Sequence, residues 1–240
     1  MTSPANPERR GRRRGIVFRV VRAVLLLLVA LLALPYVLTP LYRFFDPVPS
    51  AIVWRWLRGG AVERIVVPMD RIAPMMAKSV IASEDAKFCR HRGIDWGELK
   101  AAIGDADDLS DMRGASTITQ QTVKNLFLWP SRSFVRKALE FPLALWMDLV
   151  LPKRRILELY LNVVELGPSG QFGVEAGARR AFKKPARDLN AGEAALLVAV
   201  LPNPHRRNAQ SPGPAVRRIA ARVQARAAAA GDIDACVRAK

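Results

Sequence analysis

The chain has 240 residues, half of them hydrophobic, and a formal net charge of +17 from 38 Lys and Arg against 21 Asp and Glu. This length fits one domain plus an appendage, and the excess of basic residues predicts an anionic partner: nucleic acid, anionic lipid or a phosphorylated substrate. No Cys/His cluster has metal-ligand spacing, which excludes a zinc site of that kind. The two cysteines, Cys89 and Cys236, neither require nor exclude a disulfide, and free thiols are the favoured expectation.

The N-terminal segment has the pattern of an uncleaved membrane anchor. Its uncharged run from Ala23 to Tyr42 is 20 residues long, and as a helix it spans roughly 30 Å, the thickness of a bilayer core. A basic flank predicts that residues 1–22 form a cytoplasmic tail and that the rest crosses the membrane. The flanking arginines are Arg9, Arg10, Arg12, Arg13, Arg14, Arg19 and Arg22. A cleaved signal peptide is the alternative, but the run is long for one and no convincing small-x-small cleavage site follows.

Residues 43–63 are predicted to form a juxtamembrane linker, because Pro47 and Pro49 break any long helix. Aromatic residues in this segment suit the membrane interface. Residues 64–68 have the composition of a short strand, and beyond them the pattern is helical almost throughout. The strongly basic domain would then lie outside the cytoplasm, which argues against nucleic acid as the partner.

A carboxylate at a predicted helix end is the first candidate for chemistry. One helix is predicted over Ile72 to Ala82 with Asp70 as its N-cap, and the next opens at Asp95 with Glu98 three residues later. Glu84 therefore lies at or just past a helix end, where it can face a cleft with a raised pKa, as a general base needs. The alternative is a solvated Glu in a surface turn.

The segment Gly114 to Asn125 predicts a polar helix face. The acidic stretch before it, residues 104–111, is expected to be a loop between two helices. Thr117 and Gln120 have the form of a capping box, so a helix begins there. Three- and four-residue spacing then places both with Gln121 and Lys124 on one face. Such a face, near a helix start, can hold an anion, and an ordinary solvated face is the alternative.

A charged trio opens the following helix. Arg136 lies four residues and Lys137 three residues before Glu140, so the three side chains can meet. One interpretation is a surface salt-bridge cluster. The other is one wall of an active site, because the helix continues as a strongly apolar segment that is expected to be buried.

The remainder of the chain predicts further helices, with Glu158 in a structural role beside a core stripe of Ile156, Leu159 and Tyr160. Asn190 and Glu193 form a cap pair. The predicted helices begin at Pro152 and cover Gly173 to Phe182, Asn190 to Leu201 and Pro214 to Ala230.

Five motifs in order give a resemblance to a known family. They are E-D-x-x-F-x-x-H-x-G from Glu84, G-A-S-T-I-T-Q-Q-T-V-K-N from Gly114, R-K-x-x-E from Arg136, K-x-x-I-L-E-x-Y-L-N from Lys153, and G-x-E-A-x-A…E-A-A-L-L from Gly173. Together they resemble the peptidoglycan glycosyltransferase family, and within it the monofunctional biosynthetic peptidoglycan transglycosylases. Neither S-x-x-K nor K-T-G occurs, so no transpeptidase domain is expected. The sequence departs from the family pattern at one single residue, Ala115, and at two residue pairs, Ala181-Phe182 and Lys183-Lys184.

The resemblance implies a mainly α fold: a lysozyme-like catalytic domain over residues 64–240, with a small membrane-proximal lobe. It implies a single-pass protein of the bacterial inner membrane with a periplasmic catalytic domain. It also implies a donor strand on undecaprenyl diphosphate, with lipid II as the acceptor. Membrane lipid and other wall-synthesis or division proteins are expected partners, and nucleic acid is not.

The resemblance also assigns roles to residues. Glu84 would be the general base, and Lys124, Arg132, Arg136 and Lys137 would surround the leaving diphosphate. Glu140 would be the second essential glutamate, ordering those basic side chains or holding a divalent cation, Mg or Mn, with Ser116; that cation is the one cofactor that the resemblance suggests, and none is certain. The remaining side chains would shape the cleft and bind substrate: Asp85, Phe88, His91, Thr117, Gln120, Gln121 and Asn125. For His91 a structural role at the helix end is an equal alternative.

Two other function classes are weighed against this one. A membrane-anchored lytic muramidase would share a lysozyme-like fold and a catalytic Glu, but it has no need for the cluster of Arg132, Arg136 and Lys137. A non-catalytic scaffold for wall assembly would not need Glu84 and Glu140 together.

Overall fold

The computed structural model describes residues 7–104, 116–131 and 133–238. This part of the chain is mainly helical, which confirms the predicted fold class. Its ten α-helices are α1 (Pro7–Leu41), α2 (Ser50–Leu57), α3 (Pro74–Glu84), α4 (Trp96–Gly104), α5 (Ile118–Phe127), α6 (Phe134–Val150), α7 (Lys153–Val163), α8 (Val174–Phe182), α9 (Ala191–Val200) and α10 (Pro214–Ala229). Its two strands, β1 (Glu63–Arg64) and β2 (Gln171–Phe172), pair in parallel.

Helix α1 contains an apolar segment, Val17–Leu41, that is long enough to cross a membrane. This is consistent with a single-pass anchor. The C-terminal end of α1 lies against α6, where Trp146 Nε1 donates to the Tyr36 carbonyl at 3.0 Å. Arg155 Nε donates to the Tyr42 carbonyl at 2.7 Å. The anchor is therefore joined to the helical domain by specific contacts.

The segment predicted as a linker contains a helix of its own. Pro49 precedes α2, and the prolines separate α2 from α1 as expected. However, Ser50 Oγ donates to the Leu128 carbonyl at 2.6 Å, and Ile52 is buried. Residues 50–57 therefore pack on the domain that follows instead of acting only as a spacer.

Two element boundaries differ from their predictions for local reasons. Helix α3 begins at Pro74, and Asp70 lies in a separate 3-10 turn, because proline suits the first helical position and restrains the residue before it from helical geometry. The strand predicted over residues 64–68 ends at Arg64. Val67 instead exchanges its backbone hydrogen bonds with the Asn162 side chain.

The predicted caps of α5 and α9 are confirmed. Thr117 and Gln120 form a reciprocal capping box, and Asn190 and Glu193 form another. Asp95 caps α4 through the backbone N–H groups of residues 97 and 98. These local bonds satisfy amide groups that a helix start leaves unpaired.

The core forms where α3, α9 and α10 pack on one another and where α5 packs on α6 and α7. The predicted core stripe on α7 is buried, and Glu158 has the expected structural role, accepting from the Met69 N–H at 2.7 Å. Lys183, one of the departures from the family pattern, ends α8 with a φ of +61°. That left-handed conformation is one that glycine adopts more readily.

The expectation of two free thiols is wrong. Cys89 and Cys236 form a disulfide that ties the loop after α3 to the C-terminal 3-10 helix, Ala235–Val237. The tail is also held by the buried Val237 side chain and by Arg154 Nη1, which donates to the Val237 carbonyl at 2.7 Å. Because 147 residues separate the cysteines, only the folded chain brings them together.

Candidate active site

Glu84 is the last residue of α3, as the sequence predicted for a helix end. Its side chain is half-buried, and burial raises the pKa of Glu84 above the ordinary value for a carboxyl group. The side chain is held by polar contacts: Gln121 Nε2 donates to Oε2 at 3.1 Å. The alternative of a solvated glutamate in a surface turn is therefore excluded.

The loop that follows Glu84 is bonded to the start of α5. Asp85 accepts from the Ile118 N–H at 3.0 Å and from His91 Nε2 at 2.9 Å. Thr117 Oγ1 donates to the Gly93 carbonyl at 2.6 Å. These bonds hold Glu84 and the polar face of α5 in one fixed arrangement.

Gly93 also brings this loop close to α6. Its φ is +75°, and a Cβ there would lie 2.4 Å from the Ala144 carbonyl oxygen. Only glycine combines that backbone conformation with such a close approach. The loop thus links α3, α5 and α6, the three helices that carry the predicted chemistry.

Helix α5 supplies a cation beside the carboxylate. Lys124 lies one turn after Gln121, and its charge lowers the pKa of Glu84 in opposition to burial. Burial in turn lowers the pKa of Lys124, with a further contribution from the neighbouring Arg136. A carboxylate and an amine thus face one another in a poorly solvated site.

The first turns of α6 place two cations on Glu140. Arg136 and Lys137 both form ion pairs with this buried carboxylate, Lys137 at 3.1 Å. Lys137 Nζ also donates to Ser116 Oγ at 2.8 Å. Burial, with repulsion from Arg136 and Lys124, lowers the pKa of Lys137 to about 8. Arg136, Lys137 and Glu140 therefore form a desolvated cluster, which excludes the alternative of a surface salt-bridge cluster.

Residues bonded to Glu84 and to Glu140 line one cavity of about 400 Å³. Its lining includes Gln121 and Lys124 from α5 and Arg136 from α6, together with Asn125. The Gln121 amide, which is bonded to Glu84, therefore faces the same space as the Lys124 and Arg136 cations, whereas Glu84, Lys137 and Glu140 are not among the lining residues. This arrangement can deprotonate a hydroxyl group and stabilise an anionic leaving group.

Comparison with known proteins agrees with this chemistry. The family model described as Transglycosylase matches residues 52–228. The chain belongs to the transglycosylase family. The family and the glycosyltransferase activity predicted from the motifs are thereby confirmed.

Similar proteins match along most of their length. A Nitrobacter winogradskyi protein is 57% identical over 88% of this chain and 94% of its own length, and a Rhodopseudomonas palustris protein is 58% identical over 88% and 90%. An Agrobacterium fabrum protein is 44% identical over 91% and 97%. Each is named a biosynthetic peptidoglycan transglycosylase. The transglycosylase match ends at residue 228, before the disulfide-bonded tail.

Several residues predicted to shape the cleft and bind substrate form part of the framework of the transglycosylase site. Phe88 has no exposed surface, and Lys153 Nζ lies 4.6 Å from its ring centre. Thr117 and Gln120 are buried because the capping box uses their side chains. Asp85 is buried, and the mostly buried His91 side chain is hydrogen-bonded to it at 2.9 Å. These five side chains hold the site in shape and do not line its cavity.

The other predicted residues divide as follows. Gln121, Lys124, Asn125 and Arg136 line the cavity. Ser116, Lys137 and Glu140 form the adjoining cluster. Arg132, the acidic loop from residue 105 and Ala115 lie outside the described residues.

The second glutamate does not fit the predicted divalent cation. Lys137 Nζ contacts both Ser116 Oγ and Glu140 Oε2, which is the position that a metal shared by those oxygens would take. Arg136 pairs with the other carboxylate oxygen. A hard cation needs several free oxygen ligands, and two cations already neutralise this carboxylate. The chemistry proposed below therefore relies on the ammonium and guanidinium groups.

Sequence reasoning missed Glu165, a carboxylate that does line the cavity. It pairs with Arg55 at 2.7 Å and with His205 at 3.5 Å. Burial raises the pKa of Glu165. No local pattern marks this cluster, because α2, the segment after α7 and the segment after α9 each contribute one residue. Tyr160, predicted only as a core residue, also borders the cavity.

Proposed function

We propose that this transglycosylase polymerises the glycan strands of peptidoglycan, with lipid II as acceptor and an undecaprenyl-diphosphate-linked strand as donor. The relatives' names support glycan-strand synthesis for the cell wall. The observation that carries the proposal is a base bonded to the wall of a cationic cavity: Glu84 accepts from Gln121, which lines the cavity together with Lys124 and Arg136.

In the proposed reaction Glu84 takes the proton from the 4-hydroxyl of the lipid II GlcNAc. The hydroxyl oxygen attacks C1 of the donor MurNAc, and the bond from C1 to the diphosphate breaks. The electron pair leaves with the diphosphate. One displacement inverts the α-linked donor to a β-1,4 product. A half-buried carboxylate with a raised pKa is a stronger base than a fully exposed one, which favours this step.

The leaving diphosphate is stabilised by Lys124, Arg136 and Lys137. Its negative charge needs neutralisation more than protonation, and guanidinium groups match phosphate geometry. Glu140 holds Arg136 and Lys137 side by side despite their repulsion. We assign Glu140 this ordering role, and Ser116 supports it by accepting from Lys137.

The proposal predicts a bell-shaped dependence of polymerisation on pH. Activity should rise as Glu84 ionises, at a pH above the usual range for a carboxyl group because burial raises its pKa. Activity should fall again near pH 8, where Lys137, with its pKa lowered to about 8, loses its proton. Lys137→Arg keeps the positive charge and should move the alkaline limb upward. Rates measured across the pH range test this, and an unmoved alkaline limb would assign that limb to another group.

Both proposed substrates are lipids, which agrees with the apolar surface of the protein. Phe44, Phe45 and Leu57 are exposed where the chain leaves α1 and in α2. Phe134 and Val135 are exposed immediately before Arg136. Apolar and aromatic residues of this kind suit a membrane interface. They support a site that takes the diphosphate at the membrane surface.

We propose that the catalytic domain lies outside the cytoplasm, in the periplasm, with α1 crossing the inner membrane. The arginines before Val24 support a cytoplasmic N-terminus. The disulfide supports the same orientation, because disulfides persist in oxidising compartments. A periplasm-dependent reporter fused after Lys240 should be active. Activity of a cytoplasm-only reporter at that position would contradict this orientation.

We also propose that the protein contacts membrane lipid and other wall-synthesis or division proteins. The direct test of the function is incubation of the purified protein with labelled lipid II, followed by separation of glycan strands. Strands longer than the starting disaccharide are expected, and their absence would contradict the proposal.

A further inference from the structure

Tyr160 is fully buried on α7 and is connected to the proposed base through one side chain. Its hydroxyl group donates to Gln121 Oε1 at 3.2 Å. Gln121 Nε2 in turn donates to Glu84 Oε2 at 3.1 Å. The reaction proposed above uses Glu84 but assigns no role to Tyr160.

The two ends of the Gln121 amide are chemically different. An ionised carboxylate accepts hydrogen bonds only, so the NH2 end of the amide must face Glu84. The carbonyl end then faces Tyr160, which must donate. Burial, with the nearby charges of Glu84 and Asp85, raises the pKa of Tyr160, so its phenol keeps the proton that it donates.

We infer that Tyr160 is a positioning residue that fixes the orientation of the Gln121 amide and thereby stabilises the ionised form of Glu84. This inference rests on the proposed role of Glu84 as the base. Without the phenol hydroxyl the amide can rotate and turn its carbonyl oxygen toward Glu84. That orientation is unfavourable for an ionised Glu84, because two oxygen acceptors would face one another. A protonated Glu84 can instead donate a hydrogen bond to the Gln121 carbonyl oxygen.

Other groups also act on Glu84 and would be unchanged. Asp85 follows it in the chain and raises its pKa, and Lys124 on α5 lowers it. Ser83 Oγ lies 3.4 Å from Glu84 Oε1. Since these contacts remain, loss of the Tyr160 hydroxyl should shift the titration of Glu84 without abolishing activity.

The test is Tyr160→Phe in the full chain, with polymerisation of labelled lipid II measured across the pH range. The acid limb should move upward by about 0.5–1 pH unit, a fraction of what a hydrogen bond to a charged group contributes. Tyr42→Phe makes the same chemical change in a half-buried tyrosine whose ring stacks on Phe127. It should leave the acid limb in place.

A second variant distinguishes an effect carried through the hydrogen bonds from Tyr160 to Gln121 to Glu84 from a general loss of packing. Gln121→Leu removes the amide and should move the acid limb at least as far, and adding Tyr160→Phe to it should cause no further shift. An unmoved acid limb in Gln121→Leu overturns the inference even if Tyr160→Phe fails to fold. The inference is also overturned if Tyr160→Phe moves the acid limb equally far in the protein with Gln121 and in the Gln121→Leu variant. If Glu84→Gln itself polymerises normally, the proposed function fails instead.

Discussion

Replacement of Glu84 by Gln should reduce polymerisation of lipid II by at least about 10²-fold, the lower end of what a general base contributes. The amide is nearly isosteric with the carboxyl group, so the end of α3 and its contact with Gln121 should persist. What is lost is the capacity to accept the proton of the attacking hydroxyl group. The measurement is the initial rate of strand formation by purified, folded variant.

Glu98→Gln is the matched control. Glu98 lies in the first turn of α4 and pairs with Lys87, and both are solvent-exposed. The same chemical change there should leave polymerisation within about twofold, since exposed ion pairs contribute little. Near-normal strand synthesis by folded Glu84→Gln protein would remove Glu84 from the role of base.

Loss of the disulfide should have the largest effect on stability. A cross-link between residues 147 positions apart restricts the unfolded chain, and the loop-closure model gives up to about 5 kcal/mol for this length. For a domain of this size the loss corresponds to a fall in melting temperature of roughly 10 °C or more. The measurement is thermal unfolding of Cys89→Ser, Cys236→Ser and the double variant in detergent.

All three variants should unfold at the same temperature, because each removes the same bond. The unmodified protein treated with a reductant should match them. Reductant should not affect the double variant further. Equal melting temperatures for the oxidised and reduced unmodified protein would show that the cross-link does not contribute to folding stability.

Local features of this protein could be predicted because short-range bonds determine them. The capping boxes that begin at Thr117 and Asn190 join residues three positions apart. The side chains of Arg136, Lys137 and Glu140 meet because one turn of α6 brings them together. The position of Glu84 at a helix end followed from where the apolar pattern stopped. Such features depend on helix geometry, which a few residues specify.

The features that sequence reasoning missed are contacts between distant segments. Asp85 was expected to shape a cleft, but it accepts from the Ile118 N–H on another helix and is buried there. The Cys89–Cys236 bond and the hydrogen bond from Tyr160 to Gln121 depend on how α3, α5, α7 and the tail pack. A polar residue taken as substrate-binding can therefore serve as framework, and only tertiary structure separates the two.

The cationic cluster distinguishes strand synthesis from strand hydrolysis. A muramidase cleaves between sugars and must protonate an alkoxide leaving group, commonly with a second carboxylic acid. The second carboxylate here, Glu140, is buried and paired with both Arg136 and Lys137. A carboxyl group held by two cations is poorly suited to act as that acid. The geometry therefore favours loss of a diphosphate.

The most direct measurement gives the purified protein labelled lipid II in one reaction and purified, lipid-free sacculi in another. We expect glycan strands and free undecaprenyl diphosphate from the first and no soluble fragments from the second. Arg136→Ala and Lys137→Ala should each cripple strand formation. Solubilised sacculi, released equally well by both cationic variants, would contradict the transferase account and favour a muramidase.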